Sequence, residues 1–176
     1  MLSNIAKEHH DEAGELRALF EKQLKELYWA ELVMVDTLKS VISHTMSKDL
    51  VAALETHITQ STAHAERLEK LFAIAGIETE ERHYEALSCL IKEVKDLIQH
   101  TNRGVVRDAG MIAVLQKVEH YEIACYGTMR AHAIALREED AVTLLELTLQ
   151  EEKDHDSILS DIAESHINVE AADKEV

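Results

Sequence analysis

The stretch that decides the fold is LKELYWAELVMVDTLKSVISHTMSKDLVAALETHITQSTAHAERL, residues 24–68. A second copy aligns with it without a gap at an offset of 91 residues, LQKVEHYEIACYGTMRAHAIALREEDAVTLLELTLQEEKDHDSIL, residues 115–159. A helical hairpin that packs against its own copy explains the shared leucines. It does not explain why Glu31 matches Glu122 and His64 matches His155, since charged groups are costly to bury unless paired or bound to metal. The repeat therefore predicts two hairpins with a polar site between them.

The composition is typical of an all-helical protein. The 176 residues suit one domain, and they include no proline, five glycines and only 4% aromatic residues. The net charge of -16 would repel phosphate backbones and anionic lipid, so we expect neither nucleic acid nor membrane surfaces as partners. No apolar run approaches the roughly 20 residues that span a bilayer, and no apolar signal segment begins the sequence. A cytoplasmic location is the resulting expectation.

Helical periodicity divides the chain into three parts. Residues 1–13 are predicted to form a flexible leader, and residues 167–176 a frayed tail. Residues 14–166 are predicted to form a four-helix bundle with an extra helix at about 83–101. That extra helix lies in the long crossover that parallel second and third helices require. The four long helices are predicted at about 15–45, 49–75, 106–136 and 140–166.

Local signals mark the ends of these helices. Ser47 or Asp49 is predicted to cap the second helix, and Gly76 to end it. Residues 137–139 are predicted to form the tight turn before the fourth helix. Cys89 and Cys125 lack the spacing of a metal or redox motif, so we expect reduced thiols in or near the core.

Acidic and imidazole side chains fall at similar depths in all four long helices. Residues three or four apart share a helix face, so Glu119 can project with Glu122, and His155 with either Glu151 or Glu152. Carboxylates and neutral imidazoles together favour iron or manganese ions. The predicted metal ligands are Glu31, His64, Glu119, Glu122, Glu151, Glu152 and His155.

The second helix departs from the four-helix metal pattern. A carboxylate is expected three or four residues before His64, but Ser61 and Gln60 stand there. Glu119 is predicted to compensate as a second carboxylate of the third helix. His57 is predicted to be peripheral to the site. The competing interpretation is a metal-free polar layer whose Glu–His hydrogen bonds fix the register of the bundle.

Several blocks resemble the YciE/YciF-type ferritin-like stress proteins. They include residues 106–109 (VRDA), 116–124 (QKVEHYEIA) and 126–128 (YGT), and the resemblance extends from about residue 19 to 164. It implies a ferritin-like bundle, commonly paired as a homodimer, and a stress-related role. Rubrerythrin-like proteins in the wider group have Glu-x-x-Glu and Glu-x-x-x-His motifs, which resemble Glu119 with Glu122 and Glu151 with His155.

The leading hypothesis is a stress-response protein with a di-iron or di-manganese centre that reacts with a small oxidant, peroxide or oxygen. Whether it turns over as an enzyme is left open. The alternative is a metal-free structural or interaction protein of the same fold, acting as a homodimer. Gln60 and Ser61 motivate that alternative, because they remove an expected ligand.

Overall fold

A computed structural model describes the backbone of residues 2–173 and the side chains of residues 14–173. Six α-helices and one π-helical turn make up the fold, and the described residues contain no strand. The all-α architecture is therefore confirmed. In chain order the elements are α1 (Leu2–His44), α2 (Lys48–Ala75), α3 (Glu85–His100), α4 (Val105–Leu136), α5 (Glu139–Ile162), the π-helical turn (Ala163–Ile167) and α6 (Asn168–Asp173).

The two repeats form the two hairpins of one bundle. Helix α1 packs along α2, α4 packs along α5, and the hairpins meet through α1 with α4 and α2 with α5. Helix α3 lies in the crossover and packs on α4 and α1, within one to two residues of its predicted bounds. This arrangement confirms the prediction of paired hairpins with an extra crossover helix.

The hairpin turns are fixed by side-chain and backbone capping. The Ser47 hydroxyl accepts a hydrogen bond from the Leu50 N–H at 3.3 Å, and Gly76 ends α2 in the left-handed region with φ of 72°. Both predictions for this helix are confirmed. The Asp108 carboxylate of α4 also accepts a hydrogen bond from the Ser47 N–H at 2.7 Å, and this contact ties the first turn to the second hairpin.

Both ends of the chain contain more helix than the sequence predicted. Helix α1 begins at Leu2 rather than near residue 15, because residues 2–13 contain no proline or glycine that would stop it. The side chains of the predicted leader, residues 1–13, lie outside the described set. The frayed tail is wrong for residues 167–173, since Ile167 is buried and Ala171, one turn later, packs on the same core. Residues 174–176 are not described.

Two apolar clusters fill the bundle and leave a polar layer between them. One cluster includes Leu38, Leu54 and Leu115, whereas the other includes Leu27 and Phe72. Each of the four long helices, α1, α2, α4 and α5, contributes residues to both clusters. The segment of each helix that lies between the two clusters is the one whose acids and imidazoles were predicted to meet. Water is excluded from that layer on both sides.

The two cysteines differ in their exposure to solvent. Cys125 is half-buried but Cys89 is exposed on α3, so the prediction of a core thiol is wrong for Cys89. In the described part of the chain, no helix has an apolar stretch long enough to cross a bilayer.

Candidate metal centre

Seven ionisable side chains from four helices meet in the polar layer. Each is exposed to solvent by no more than 1%. Six of them were predicted as ligands, and His57 is an addition. They are Glu31 on α1, His57 and His64 on α2, Glu119 and Glu122 on α4, and Glu152 and His155 on α5.

Three of these residues define position A, which consists of Glu31, His64 and Glu152. Their ligand atoms all lie within 4.8 Å of one another. The Nδ1 atom of His64 lies 3.3 Å from the Glu31 Oε1 atom and 2.9 Å from the Glu152 Oε1 atom. Neither contact has the alignment of a hydrogen bond, and Nδ1 has no hydrogen-bond partner. The three side chains therefore converge on a common point, where both carboxylates lie within ion-pair distance of the His64 ring.

Position B lies beside position A and consists of His57, Glu119, Glu122 and Glu152. His155 is included in position B because its ligand atom also lies close to those of His57 and Glu119. The Nδ1 atom of His57 is 3.3 Å from the Glu119 Oε1 atom, and its Nε2 atom is 3.7 Å from the Glu152 Oε2 atom. Because Glu152 belongs to both positions, its two oxygens can serve two cations at once. Glu152 is thus the one carboxylate common to the two groups of possible ligands among the described residues.

Unpaired buried atoms show how well this layer suits metal ions. Within the described residues, twelve buried side-chain nitrogen and oxygen atoms lack a hydrogen-bond partner, and ten of them belong to these seven residues. Leaving such an atom unpaired costs about 1–3 kcal/mol, and more when it is charged. Divalent cations would satisfy these atoms, since carboxylate oxygens and imidazole nitrogens are the donors that iron and manganese accept. The donor set therefore fits a pair of such ions.

Burial and crowding shift the pKa values of the carboxyl groups upward. Burial raises the pKa of Glu119 and of Glu152 to about 8, and the Glu31 carboxylate adds to both shifts. Burial also raises the pKa of Glu122 well above its ordinary value, with Glu152 and Glu31 contributing. In the absence of a cation, Glu119, Glu122 and Glu152 therefore tend to retain protons, because burial and mutual repulsion disfavour their charged forms.

The imidazoles respond in different ways. Burial opposes the charge of His64, but the carboxylates of Glu31 and Glu152 outweigh it and raise the His64 pKa to about 10. Burial lowers the pKa of His57 well below its ordinary value, with help from His155. The pKa of His155 is lowered by burial as well, although Glu152 opposes the shift. Two of the three rings are therefore neutral, the form that binds metal.

Glu151 lies outside this layer and forms a hydrogen bond with His64, which lies inside it. Its side chain is 25% exposed, and it forms a bidentate ion pair with Arg67. Its Oε2 atom accepts a hydrogen bond from the His64 Nε2 atom at 2.8 Å. The structure thus brings Glu152, rather than Glu151, to the point where the other predicted ligands meet.

His57 is the member of this buried layer that sequence reasoning missed. It was predicted to be peripheral, and that prediction is wrong, since the ring is fully buried and lies 4.0 Å from the ring of His155. The 91-residue repeat aligns it with Thr148, so the repeat gives no hint of a ligand. Its spacing of seven residues from His64 places both rings on one face of α2, and that signal could have found it.

Neighbouring aromatic residues border the centre. The Tyr126 hydroxyl donates a hydrogen bond to the Glu31 Oε1 atom at 2.5 Å, and this contact fixes the Glu31 side chain. Tyr121 stacks on Tyr84 with ring centroids 5.7 Å apart. Tyr28 packs edge-on against Phe72 at 5.6 Å. Trp29, next to Tyr28 on α1, packs against the ring of His83.

Comparison with known proteins identifies close relatives. Residues 15–172 match the family described as "Domain of unknown function (DUF892)". The chain is 34% identical over 157 residues to Protein YciF of Escherichia coli (strain K12), covering 89% of this chain and 95% of that protein.

Solved structures show the same similarity. The crystal structure of the E. coli stress protein YciF superposes with a TM-score of 0.83 at 33% identity, covering 87% of this chain and 97% of that one. YcfI of Rhodopseudomonas palustris, proposed to be a structural protein, superposes with a TM-score of 0.79 at 32% identity, over 82% and 92% of the two chains. A protein of Xanthomonas campestris shares the fold, with a TM-score of 0.74 at 19% identity over 91% and 98%. The chain therefore belongs to the YciF-type DUF892 family, with its ferritin-like all-α bundle.

Proposed function

We propose that this protein binds two iron or manganese ions in the polar layer and reacts with peroxide or oxygen during stress. The single observation that carries the proposal is the set of ten unpaired atoms on seven buried acids and imidazoles. Membership in a family that includes the E. coli stress protein YciF supports the stress-related part.

The ligands would come from both positions. Glu31, His64 and Glu152 would hold one ion, whereas His57, Glu119, Glu122, Glu152 and His155 would hold the other. When bound, two ferrous ions supply one electron each, which together with two protons converts one hydrogen peroxide molecule into two water molecules.

The chain's own residues exclude water and handle protons. The apolar clusters on both sides keep the layer dry, which strengthens every electrostatic contact inside it. Arg67 and Glu151 connect the His64 Nε2 atom to the surface, since both are partly exposed. Glu151 and the His64 ring offer a route for protons between solvent and the buried carboxyl groups, while the Arg67 guanidinium stays charged and holds Glu151 in place.

Counting bound metal tests the proposal directly. Metal-free protein loaded with ferrous iron without oxygen, then desalted, is expected to retain close to two ions per chain. Glu122→Gln should lose at least one ion, because Glu122 offers two unpaired oxygens to the centre. Glu55→Gln is the matched control, since Glu55 is an exposed acid in the other copy of the repeat. Retention well below one ion in the unmodified protein, or equal retention in both variants, would contradict the proposal.

A metal-free structural role is the second candidate. Ser61 supports it by removing an expected carboxylate, and the R. palustris relative proposed to be structural supports it as well. It predicts that a chelator leaves the melting temperature of freshly purified protein unchanged, whereas a bound ion would make it drop. The homodimer stays a prediction under both candidates, and light scattering should then give twice the chain mass of 19.9 kDa.

A further inference from the structure

We infer that the two cation positions are unequal, so that position B fills first and position A binds the second ion more weakly. The inference rests on the proposed function, because it concerns the order in which one centre takes up its metal. It adds His57 as the ligand that strengthens position B.

Ligand number and charge favour position B. Its ligand atoms come from two overlapping groups, His57 with Glu119, Glu122 and Glu152, and His57 with Glu119 and His155. Position A draws on two carboxylates and one imidazole. Affinity for hard divalent cations rises with the number of charged oxygen ligands, and imidazole nitrogens add to it for iron and manganese.

The second helix causes the asymmetry. The repeat aligns Ser61 with Glu152, so α2 lacks the carboxylate that α5 supplies at the matching place. The Ser61 hydroxyl is fully buried and has no hydrogen-bond partner. One turn earlier, α2 supplies His57, whose nitrogens lie 3.3 Å and 3.7 Å from oxygens of position B. Position A therefore lacks a carboxylate ligand, whereas position B has an additional imidazole ligand.

The free atoms are distributed in the same way. Among the unpaired buried atoms, six belong to position B alone, on His57, Glu119, Glu122 and His155. Two belong to position A alone, because the Tyr126 hydroxyl already occupies one oxygen of Glu31. The two oxygens of Glu152 are shared. Position B thus has more donor atoms ready for a cation without breaking an existing hydrogen bond.

Manganese titration of the metal-free full-length chain tests the order of filling. Free Mn²⁺ is followed by electron paramagnetic resonance, and we expect two steps that differ in affinity by at least about tenfold. His57→Gln should weaken the first step by at least about tenfold and leave the second, whereas His64→Gln should weaken the second and leave the first.

His120→Gln is the matched control, since His120 is an exposed imidazole next to Glu119 and should change neither step. Circular dichroism of each metal-free variant shows whether it folds. If His57→Gln does not fold, Ser61→Glu takes its place, because an added carboxylate at position A should strengthen the second step at least about tenfold.

Distinct outcomes separate this inference from the function on which it rests. Two ions of equal affinity, a first step that depends on His64 but not on His57, or a second step unchanged in Ser61→Glu would overturn the inference alone. Protein that binds no Mn²⁺ would overturn the proposed function as well.

Discussion

His64 is held from both sides of its ring, and this placement decides which neighbours act as ligands. Its Nε2 atom donates to Glu151, so its Nδ1 atom faces Glu31 and Glu152 inside the layer. Carboxylates that accept from the outer nitrogen of a metal-binding histidine fix its tautomer and orientation. Glu151 is therefore a positioning residue, with Arg67 holding it in turn.

Glu151→Gln is expected to lower the affinity for the ion at position A by about 10- to 100-fold. The neutral amide favours the Nε2–H tautomer, which leaves Nδ1 free for metal, less strongly than the carboxylate does, because it is a weaker acceptor and can also donate to Nε2. Metal titration measures the loss, and nitrogen NMR of His64 should show a changed tautomer balance. Glu146→Gln serves as the control. Glu146 lies on the same helix as Glu151 and forms a similar ion pair with Arg130, but that pair contacts no histidine. Equal affinities in the two variants would argue against a positioning role.

The sequence located six of the seven buried residues. Glu31, Glu122, His64 and His155 occur at a constant offset, and Glu119 and Glu152 lie three residues from Glu122 and His155 on their helices. The choice between Glu151 and Glu152 needed coordinates, since adjacent residues differ by 100° around a helix and the phase of α5 depends on its packing. His57 was missed because its partner in the repeat is Thr148, which carries no metal-binding group.

The ends of α2 and α4 were predicted well from the sequence. Gly76 ends α2 and Arg137 ends α4, both in the left-handed region, with φ of 72° and 60°. Both lie where the sequence predicted turns, since Gly76 was expected to end the second helix and Arg137 to open the turn at residues 137–139. The π-helical turn at Ala163–Ile167 was not predicted, since its wider hydrogen bonding leaves no distinct residue pattern.

Gly76→Ala is expected to destabilise the fold by about 1 kcal/mol, because an L-residue is strained at this φ while no atom lies within 4 Å of the new methyl group. Chemical denaturation measures the change. Gly127→Ala provides the contrast, since Gly127 lies within α4 with equal free space and should gain about 0.5–1 kcal/mol. The same sign for both variants would contradict the backbone argument.

Across the whole molecule, the buried carboxyl groups link stability to pH. In the metal-free protein the pKa values of Glu119 and Glu152 are raised to about 8 and that of His64 to about 10. Above pH 6.5 the unfolded chain has released these protons while the folded chain still binds them. Raising the pH therefore removes stability from the folded state. The lowered pKa values of His57 and His155 act in the opposite direction, but only below pH 6.5.

The melting temperature of metal-free protein is thus expected to fall steadily from pH 6.5 to pH 9. Thermal unfolding in the presence of chelator measures this trend. Glu152→Gln should flatten the slope, because the amide carries no proton to lose. With excess Mn²⁺ the trend should reverse, since deprotonated ligands bind metal more tightly. A melting temperature that rises with pH in chelator would show that these groups are not proton-bound in the folded protein.

The most direct test of the central claim is an anomalous-scattering map of crystals grown with excess Mn²⁺. Two peaks are expected inside the bundle, one on each side of Glu152, with His64 next to one and His57 next to the other. Peaks confined to surface carboxylates such as Asp49 and Glu170, with none in the buried layer of Mn²⁺-saturated protein, would contradict that claim.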